Sequence, residues 1–140
     1  MPDSFKDLLR QFLNYLAVEK LLAKNSLMAY ERDLKDYFSF LEKSKVSDLA
    51  KVGPKEIREF LMQLKGRKLA SSTISRHLVA VKIFHRFLVR ERHLKQDTTS
   101  SLESPKTWKL LPHSLSIQDV EKMLKAPNAR TVRGMRDKAI

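Results

Sequence analysis

With 140 residues, of which 42% are hydrophobic, the chain can form one packed domain and part of another. It has no cysteine and no apolar run near the roughly 20 residues of a membrane span, which excludes disulfides, thiolate chemistry, cysteine-ligated zinc and a transmembrane helix. Its formal net charge of +12 favours a polyanionic partner, nucleic acid before an anionic membrane surface. The N-terminus mixes acids and bases, unlike a signal peptide, so we expect a cytoplasmic protein.

The positive charge is concentrated in the middle of the chain. Residues 1–64 hold 11 Lys/Arg against 10 Asp/Glu, residues 65–109 hold 11 against 3, and residues 110–140 hold 6 against 3. A local excess of this kind is typical of a binding surface for nucleic acid.

Apolar residues at three- and four-residue steps predict three helices before this basic stretch. The first ends near Lys20, and the second is predicted to be capped by Asn25 or Ser26. A loop at 44–53 leads to a third helix, for which Pro54 and Gly66 are typical first and last residues. The predicted buried residues are Phe5, Leu8, Leu9, Phe12, Leu13, Leu16, Leu27, Tyr30, Leu34, Tyr37, Phe38, Leu41, Ile57, Phe60, Leu61 and Leu64. We expect the Tyr30 and Tyr37 hydroxyls at the rim of this core.

The stretch 71–92 predicts a long fourth helix, capped by Ser71 or Ser72, around which the others pack. It has two apolar sides, formed by Ile74, Leu78, Val81, His85 and Leu88 and by Ala80, Phe84 and Phe87. Its remaining face carries Ser75, Arg76, Val79, Lys82, Arg86 and Arg90. A helix of this kind fits the major groove of DNA, although a core helix with a solvated charged strip is the alternative.

Residues 96–115 are rich in Ser, Thr and Pro and have little periodicity, which predicts an interdomain linker, and Trp108 is the one aromatic in it that we expect to be buried. Two short helices are predicted beyond it, the first with a capping box from Ser116 to Asp119 and an inward face of Ile117, Val120 and Leu124. The last apolar pattern is cut off at Ile140, so we expect residues 116–140 to be the truncated start of a second domain. The predicted class is all-α, a four-helix bundle at 1–95 followed by the linker and this partial domain.

No catalytic or metal site is evident from the residues. His77, His85 and His93 are spaced by eight, which turns each about 80° around a helix and prevents convergence on a metal. We expect His85 to be a core or interface histidine. Neither a phosphate-binding loop nor a carboxylate pair suited to catalysis is present, and no cofactor is implied.

Four segments in order resemble one family, the tyrosine recombinases, in particular their Xer type, which resolves chromosome dimers. Residues 24–41 (KNSLMAYERDLKDYFSFL) and 71–91 (SSTISRHLVAVKIFHRFLVRE) are similar to the second and fourth helices of its SAM-like core-binding domain. Residues 104–124 (SPKTWKLLPHSLSIQDVEKML) are similar to its interdomain linker, and 133–140 (RGMRDKAI) to the opening of its catalytic domain. Phage and transposon integrases share the domain and remain an alternative.

The resemblance implies a parent enzyme that clamps double-stranded DNA, cuts and rejoins it through a tyrosine, and works without a metal or other cofactor. It also implies a cyclic tetramer with a paralogous recombinase on DNA. The family's nucleophilic tyrosine and its catalytic arginines, lysine and histidines lie beyond the matching segments, so we expect this chain to bind DNA without cleaving it. Arg133 and Arg136 precede the place of the first catalytic arginine and do not take its role.

Carried over by position, the resemblance implies DNA contacts from the start of the second helix and the exposed face of the fourth. The expected residues are Lys24, Asn25, Ser26, Tyr30, Arg32, Ser72, Arg76, Lys82 and Arg86, with Lys68 and Lys106 on phosphates. Arg76 and Lys82 are expected to read bases, and the others to position the protein on the backbone. A free-standing helical DNA-binding protein and a helical protein–protein module remain the alternatives from other classes.

Overall fold

The computed structural model describes residues 3–104 and 114–140, and the chain falls into two units, 1–107 and 108–140. The first unit contains four helices, α1 (Asp3–Val18), α2 (Lys24–Lys43), α3 (Pro54–Gly66) and α4 (Ser71–Arg90), with a single 3₁₀ turn (Leu49–Lys51) in the predicted loop. The second contains α5 (Ile117–Lys125) and α6 (Val132–Ala139). The described residues include no strand, which confirms the all-α class.

The core of the first unit is built around α4, as its two apolar sides predict. α4 packs against both α2 and α3, and α1 packs against α2. The rings of Phe12, Phe38 and Phe84 join α1, α2 and α4, with the Phe84 centroid 5.3 Å from that of Phe12 and 5.4 Å from that of Phe38. Tyr37 and Phe60, 5.3 Å apart, join α2 to α3. All the apolar residues assigned to the two buried sides of α4 are buried, and the predicted stripes of α1 to α3 are buried or partly buried.

The predicted caps of α2 and α4 are wrong by one to three residues. Ala23 and Ala70, both extended, occupy the N-cap positions, and neither helix start has a side-chain cap within residues 3–104. Asn25, Ser26, Ser71 and Ser72 therefore lie inside the first turn. Tight turns after α1 and α3, with Leu21 and Lys68 at φ of 50° and 56°, bring each alanine directly to the helix start. Pro54 and Gly66 bound α3 as predicted.

The residues that follow α4 pack on the first unit. Thr99 and Leu102 are buried, and the Lys82 ammonium donates a hydrogen bond to the Leu102 carbonyl. Asp97 Oδ1 accepts hydrogen bonds from the amide and hydroxyl of Thr99, at 2.8 and 2.5 Å, which closes a turn. The first half of the predicted linker is thus an ordered strap, whereas residues 105–113, with Trp108 and Lys106, lie outside the described residues. The predicted bounds of the helical domain (1–95), the interdomain linker (96–115) and the partial second domain (116–140) stay predictions.

The second unit consists of two short capped helices. Ser116 and Asp119 form the predicted capping box, and the Thr131 hydroxyl accepts a hydrogen bond from the Gly134 amide at 3.0 Å. The expectation that Ile117, Val120 and Leu124 face inward is wrong for the described residues, because all three side chains are exposed. Helices of nine and eight residues offer little apolar surface to each other. Across the described ranges, no helix has the length and hydrophobicity needed to cross a bilayer.

Candidate nucleic-acid interface

The exposed face of α4 carries three of the four cations that the sequence places there. Ser72, Arg76, Val79, Arg86 and Arg90 are exposed, and their spacings of three, four and seven residues place them along one side of the helix. Because the opposite sides are buried against α2 and α3, this side is the one that α4 offers to a partner.

The start of α2 lies beside this face. Ser26, Ala29 and Tyr30 of α2 line a depression of about 200 Å³ together with Arg76 and Val79 of α4. Three of the predicted DNA contacts, Ser26, Tyr30 and Arg76, are therefore brought together by the fold. The Tyr30 ring is partly buried and stands edge-on to Phe12, with centroids 6.2 Å apart, so it forms a fixed wall of this depression.

An ion pair between the two helices fixes Arg76. Its Nε and Nη2 atoms donate to Asp33 Oδ2 and Oδ1, each at 2.8 Å, and Asp33 is only 1% exposed. These hydrogen bonds raise the pKa of the Arg76 guanidinium. Next to the pair, His77 Nε2 lies 3.4 Å from Asp33 Oδ1 and 3.4 Å from Asp36 Oδ2, and Arg67 Nη1 donates to Asp36 at 3.3 Å. Sequence reasoning missed Asp33. The available signal was its position one turn after Tyr30 on the buried side of α2, because a buried carboxylate requires a cation nearby.

A second depression, of about 430 Å³, also has Tyr30 in its lining. Its lining combines the aromatic rings of Tyr15 and Tyr30 with the cations Lys20, Arg86 and Arg90. Arg90 stacks over Tyr15, with its Cζ atom 4.8 Å from the ring centroid, and its hydrogen bond to Glu19 at 2.6 Å raises its pKa. Lys20 lies 5.9 Å from the same ring. Sequence reasoning missed Lys20, because it lies 66 and 70 positions along the chain from Arg86 and Arg90, and only the fold brings the three together.

The remaining predicted contacts are less closely grouped. Lys24 and Asn25 are exposed in the first turn of α2, and Lys68 is exposed in the turn before α4. Arg32 is exposed two residues after Tyr30, which turns it about 200° around α2 and away from the two depressions. In the ranges 3–104 and 114–140, Lys24, Arg32, Lys68 and Arg86 form no ion pair.

Lys82 has an intramolecular role that the sequence did not indicate. Its side chain is partly buried, and its ammonium donates to the Leu102 carbonyl of the strap. This hydrogen bond holds the ammonium against the strap and uses one of its three N–H donors. The assignment of Lys82 as a base-reading residue stays a prediction, as do the other DNA contacts, and that of Lys106 falls outside the described residues.

His85 is a core histidine, as expected. It is fully buried, and its Nε2 atom lies 3.0 Å from the Tyr37 hydroxyl, with which it shares a hydrogen bond. Burial lowers the pKa of His85 from its ordinary value of 6.5 to about 4, and burial also raises the pKa of the Tyr37 phenol. The expectation that the Tyr37 hydroxyl lies at the rim is wrong, because the partner supplied by α4 satisfies it inside the core.

The family of the chain follows from comparison with known proteins. Residues 9–92, which run from within α1 to just past the end of α4, match the family described as "Phage integrase, N-terminal SAM-like domain". The chain belongs to this family.

The individual relatives narrow the class to Xer-type tyrosine recombinases. The chain is 33% identical over 133 residues to "Tyrosine recombinase XerD" of Staphylococcus epidermidis, covering 95% of this chain and 45% of the relative. It is 35% identical over 133 residues to the protein of the same name from Halalkalibacterium halodurans, covering 94% of this chain and 44% of the relative. The chain thus spans less than half the length of the relatives it matches.

Proposed function

We propose that this chain is the DNA-binding part of a Xer-type, site-specific tyrosine recombinase. The observation that carries the proposal is the outward face shared by α4 and the start of α2, where Tyr30, Arg76 and Arg86 lie around two adjacent depressions. α4 has 20 residues and is about 30 Å long, and its one exposed side can face the major groove, which is about 12 Å wide.

The distribution of charge supports the same surface. Lys24 and Arg86 are exposed and have no ion-pair partner in the part of the chain that the structure describes, so their charge is available to phosphates. The amides in the first turns of α2 and α4 have no side-chain cap there either, and such amides suit phosphate oxygens. Contacts of this kind position a protein on DNA without reading its sequence.

The activity of the whole recombinase would need more than the segments in this chain, which covers 45% of the length of its relative from Staphylococcus epidermidis. We propose that it cuts and rejoins DNA in the manner of XerC and XerD, resolving chromosome dimers in the cytoplasm as a cyclic tetramer with a paralogue. The relatives named "Tyrosine recombinase XerD" support this assignment. The alternative assignment is a phage or transposon integrase, because those enzymes share the same N-terminal domain.

A mobility-shift titration tests the binding function. A palindromic Xer-type site and a scrambled duplex of equal length are compared at several salt concentrations. We expect tighter binding to the Xer-type site and a log–log salt slope of several phosphates. Equal, salt-sensitive binding to both duplexes would favour a general DNA-binding protein.

Matched charge variants locate the surface. Lys24→Ala with Arg86→Ala removes two cations from the proposed face, and Lys55→Ala with Arg58→Ala removes two from the exposed side of α3. The first pair should weaken binding to every sequence and lower the salt slope by about two, and the second should change it little. Equal effects of the two pairs, or no binding by the unaltered chain at moderate salt, would contradict the proposal and favour a protein–protein module.

A further inference from the structure

The ion pair between Asp33 and Arg76 leaves one edge of the guanidinium directed away from the protein core. Arginine has five N–H donors in a rigid planar fork. The Nε hydrogen and one Nη2 hydrogen are used on Asp33, each with an N–O distance of 2.8 Å. The adjacent end edge, formed by Nη1 and the second Nη2 hydrogen, has no partner in residues 3–104 or 114–140, and the Arg76 side chain is 49% exposed.

The geometry of this remaining edge matches one base. Two parallel N–H groups fit the O6 and N7 acceptors of guanine in the major groove, whereas no other base presents two adjacent acceptors there. A carboxylate that clamps the inner edge keeps the outer edge in a single orientation. The ordering of a long, flexible side chain, which otherwise opposes binding, has then already occurred in the free protein.

The depression beside Arg76 has the chemistry for a second base. Ala29 and Val79 line it with methyl groups, and Val79 is 41% exposed although it is apolar. The C5-methyl group of thymine is the apolar feature of the major groove, and alanine or valine methyl groups are suitable contacts for it.

We propose that Asp33 is a positioning residue that holds Arg76 for bidentate recognition of a guanine, with the depression at Ala29 and Val79 taking the methyl group of a neighbouring thymine. The inference rests on the proposed DNA-binding function and deepens it. Asp33 itself, being buried, touches no base.

Selection from a duplex library that is randomised across the half-site tests the inference. The unaltered chain should enrich guanine at one position of each half-site, next to thymine. We expect the guanine preference of the unaltered chain to be about 5- to 150-fold in affinity. Arg76→Lys keeps the positive charge but loses the planar fork of donors, so this variant should lose the guanine preference and keep the salt slope of the unaltered chain.

Asp33→Asn tests the positioning role. In a chain that still has Arg76, Asp33→Asn should reduce the guanine preference. In the Arg76→Lys background, Asp33→Asn should cause no further loss of that preference, because Asp33 acts only through the arginine. Arg67→Lys alters a neighbouring Arg–Asp pair outside the depression and should leave the preference unchanged. Thermal unfolding of each variant identifies any that fail to fold, and Arg76→Lys, half-exposed and of like charge, provides the test if Asp33→Asn does not fold.

The outcomes separate the two proposals. Duplex binding with an unchanged guanine preference in Arg76→Lys overturns the inference and leaves the DNA-binding function intact. An Asp33→Asn effect that is fully additive to that of Arg76→Lys overturns the positioning role. The absence of duplex binding by the unaltered chain at low salt overturns both.

Discussion

The buried imidazole of His85 makes stability depend on pH, and the size of the effect follows from its pKa. The ring is neutral when folded, with a pKa of about 4, whereas in the unfolded chain it titrates near 6.5. Between these two values the unfolded state binds more protons, so stability is fully present above about pH 6.5 and is lost as the pH falls towards 4. At 1.36 kcal/mol for each pH unit, the loss from His85 alone is about 3 kcal/mol.

A double substitution isolates this contribution. Tyr37→Phe with His85→Leu removes both partners of the buried hydrogen bond, a change that leaves no new unsatisfied group at this pair. Urea unfolding, followed by far-ultraviolet circular dichroism between about pH 7 and about pH 4, gives the free energy of unfolding of both proteins. The unaltered chain should lose about 3 kcal/mol more than the double variant over this range.

Other groups contribute equally to both proteins. Backbone hydrogen bonds, from its own amide and that of Gly53, lower the pKa of Glu56, so its stabilisation is also lost in acid and cancels in the difference. His93→Gln, which replaces an exposed histidine, serves as the control for a histidine substitution outside the core. Superimposable profiles for the double variant and the unaltered chain would refute the assignment of a buried, neutral His85.

Three further predictions concern the core, the strap and the second unit. Phe84→Ala empties the centre of the aromatic core and should lower the free energy of unfolding by about 3–5 kcal/mol in urea titration; a loss below about 1 kcal/mol would contradict the packing. Lys82→Met removes the donor to the strap carbonyl and should speed hydrogen exchange at the Leu102 amide, so unchanged exchange would argue against this contact. Gly134→Ala would place a Cβ 1.7 Å from the Asn128 carbonyl oxygen, so it should shift the amide resonances around that turn in NMR spectra without altering the unfolding of the first unit; unshifted resonances would contradict the close approach.

Helical periodicity was enough to predict most of the bundle. Ile74, Leu78 and Val81 are spaced so that one side of α4 is apolar, and burial of that side is required whatever neighbours it has. The α3 boundaries followed from Pro54 and Gly66, since each residue has a local conformational reason to be there.

The helix starts could not be predicted as well, because polar residues near a helix start have two possible uses. Asn25 and Ser26 have the side chains of N-caps, but the turn after α1 places Ala23 in the cap position instead. Asn25 and Ser26 lie instead in the first turn of α2, and the amides at this helix start have no side-chain cap. Local preference alone does not distinguish these two arrangements.

The pairings within the site depend on long-range contacts and were missed for that reason. Asp33 and Arg76 are 43 positions apart, and only the packing of α2 on α4 shows that the guanidinium is clamped on one edge. In the same way, the sequence marks Lys82 as a cation on an exposed face, and only the fold brings the Leu102 carbonyl to it.

NMR titration of the nitrogen-15-labelled chain with a duplex containing a Xer-type site tests the central claim most directly. The surface shared by α2 and α4 predicts amide shifts concentrated at residues 24–30 and along the exposed positions of 72–90 as the DNA is added. The exposed sides of α1, at Arg10 and Asn14, and of α3, at Lys55, should be unaffected. Shifts concentrated on α1 or α3, with the residues of α2 and α4 unchanged, would contradict the account.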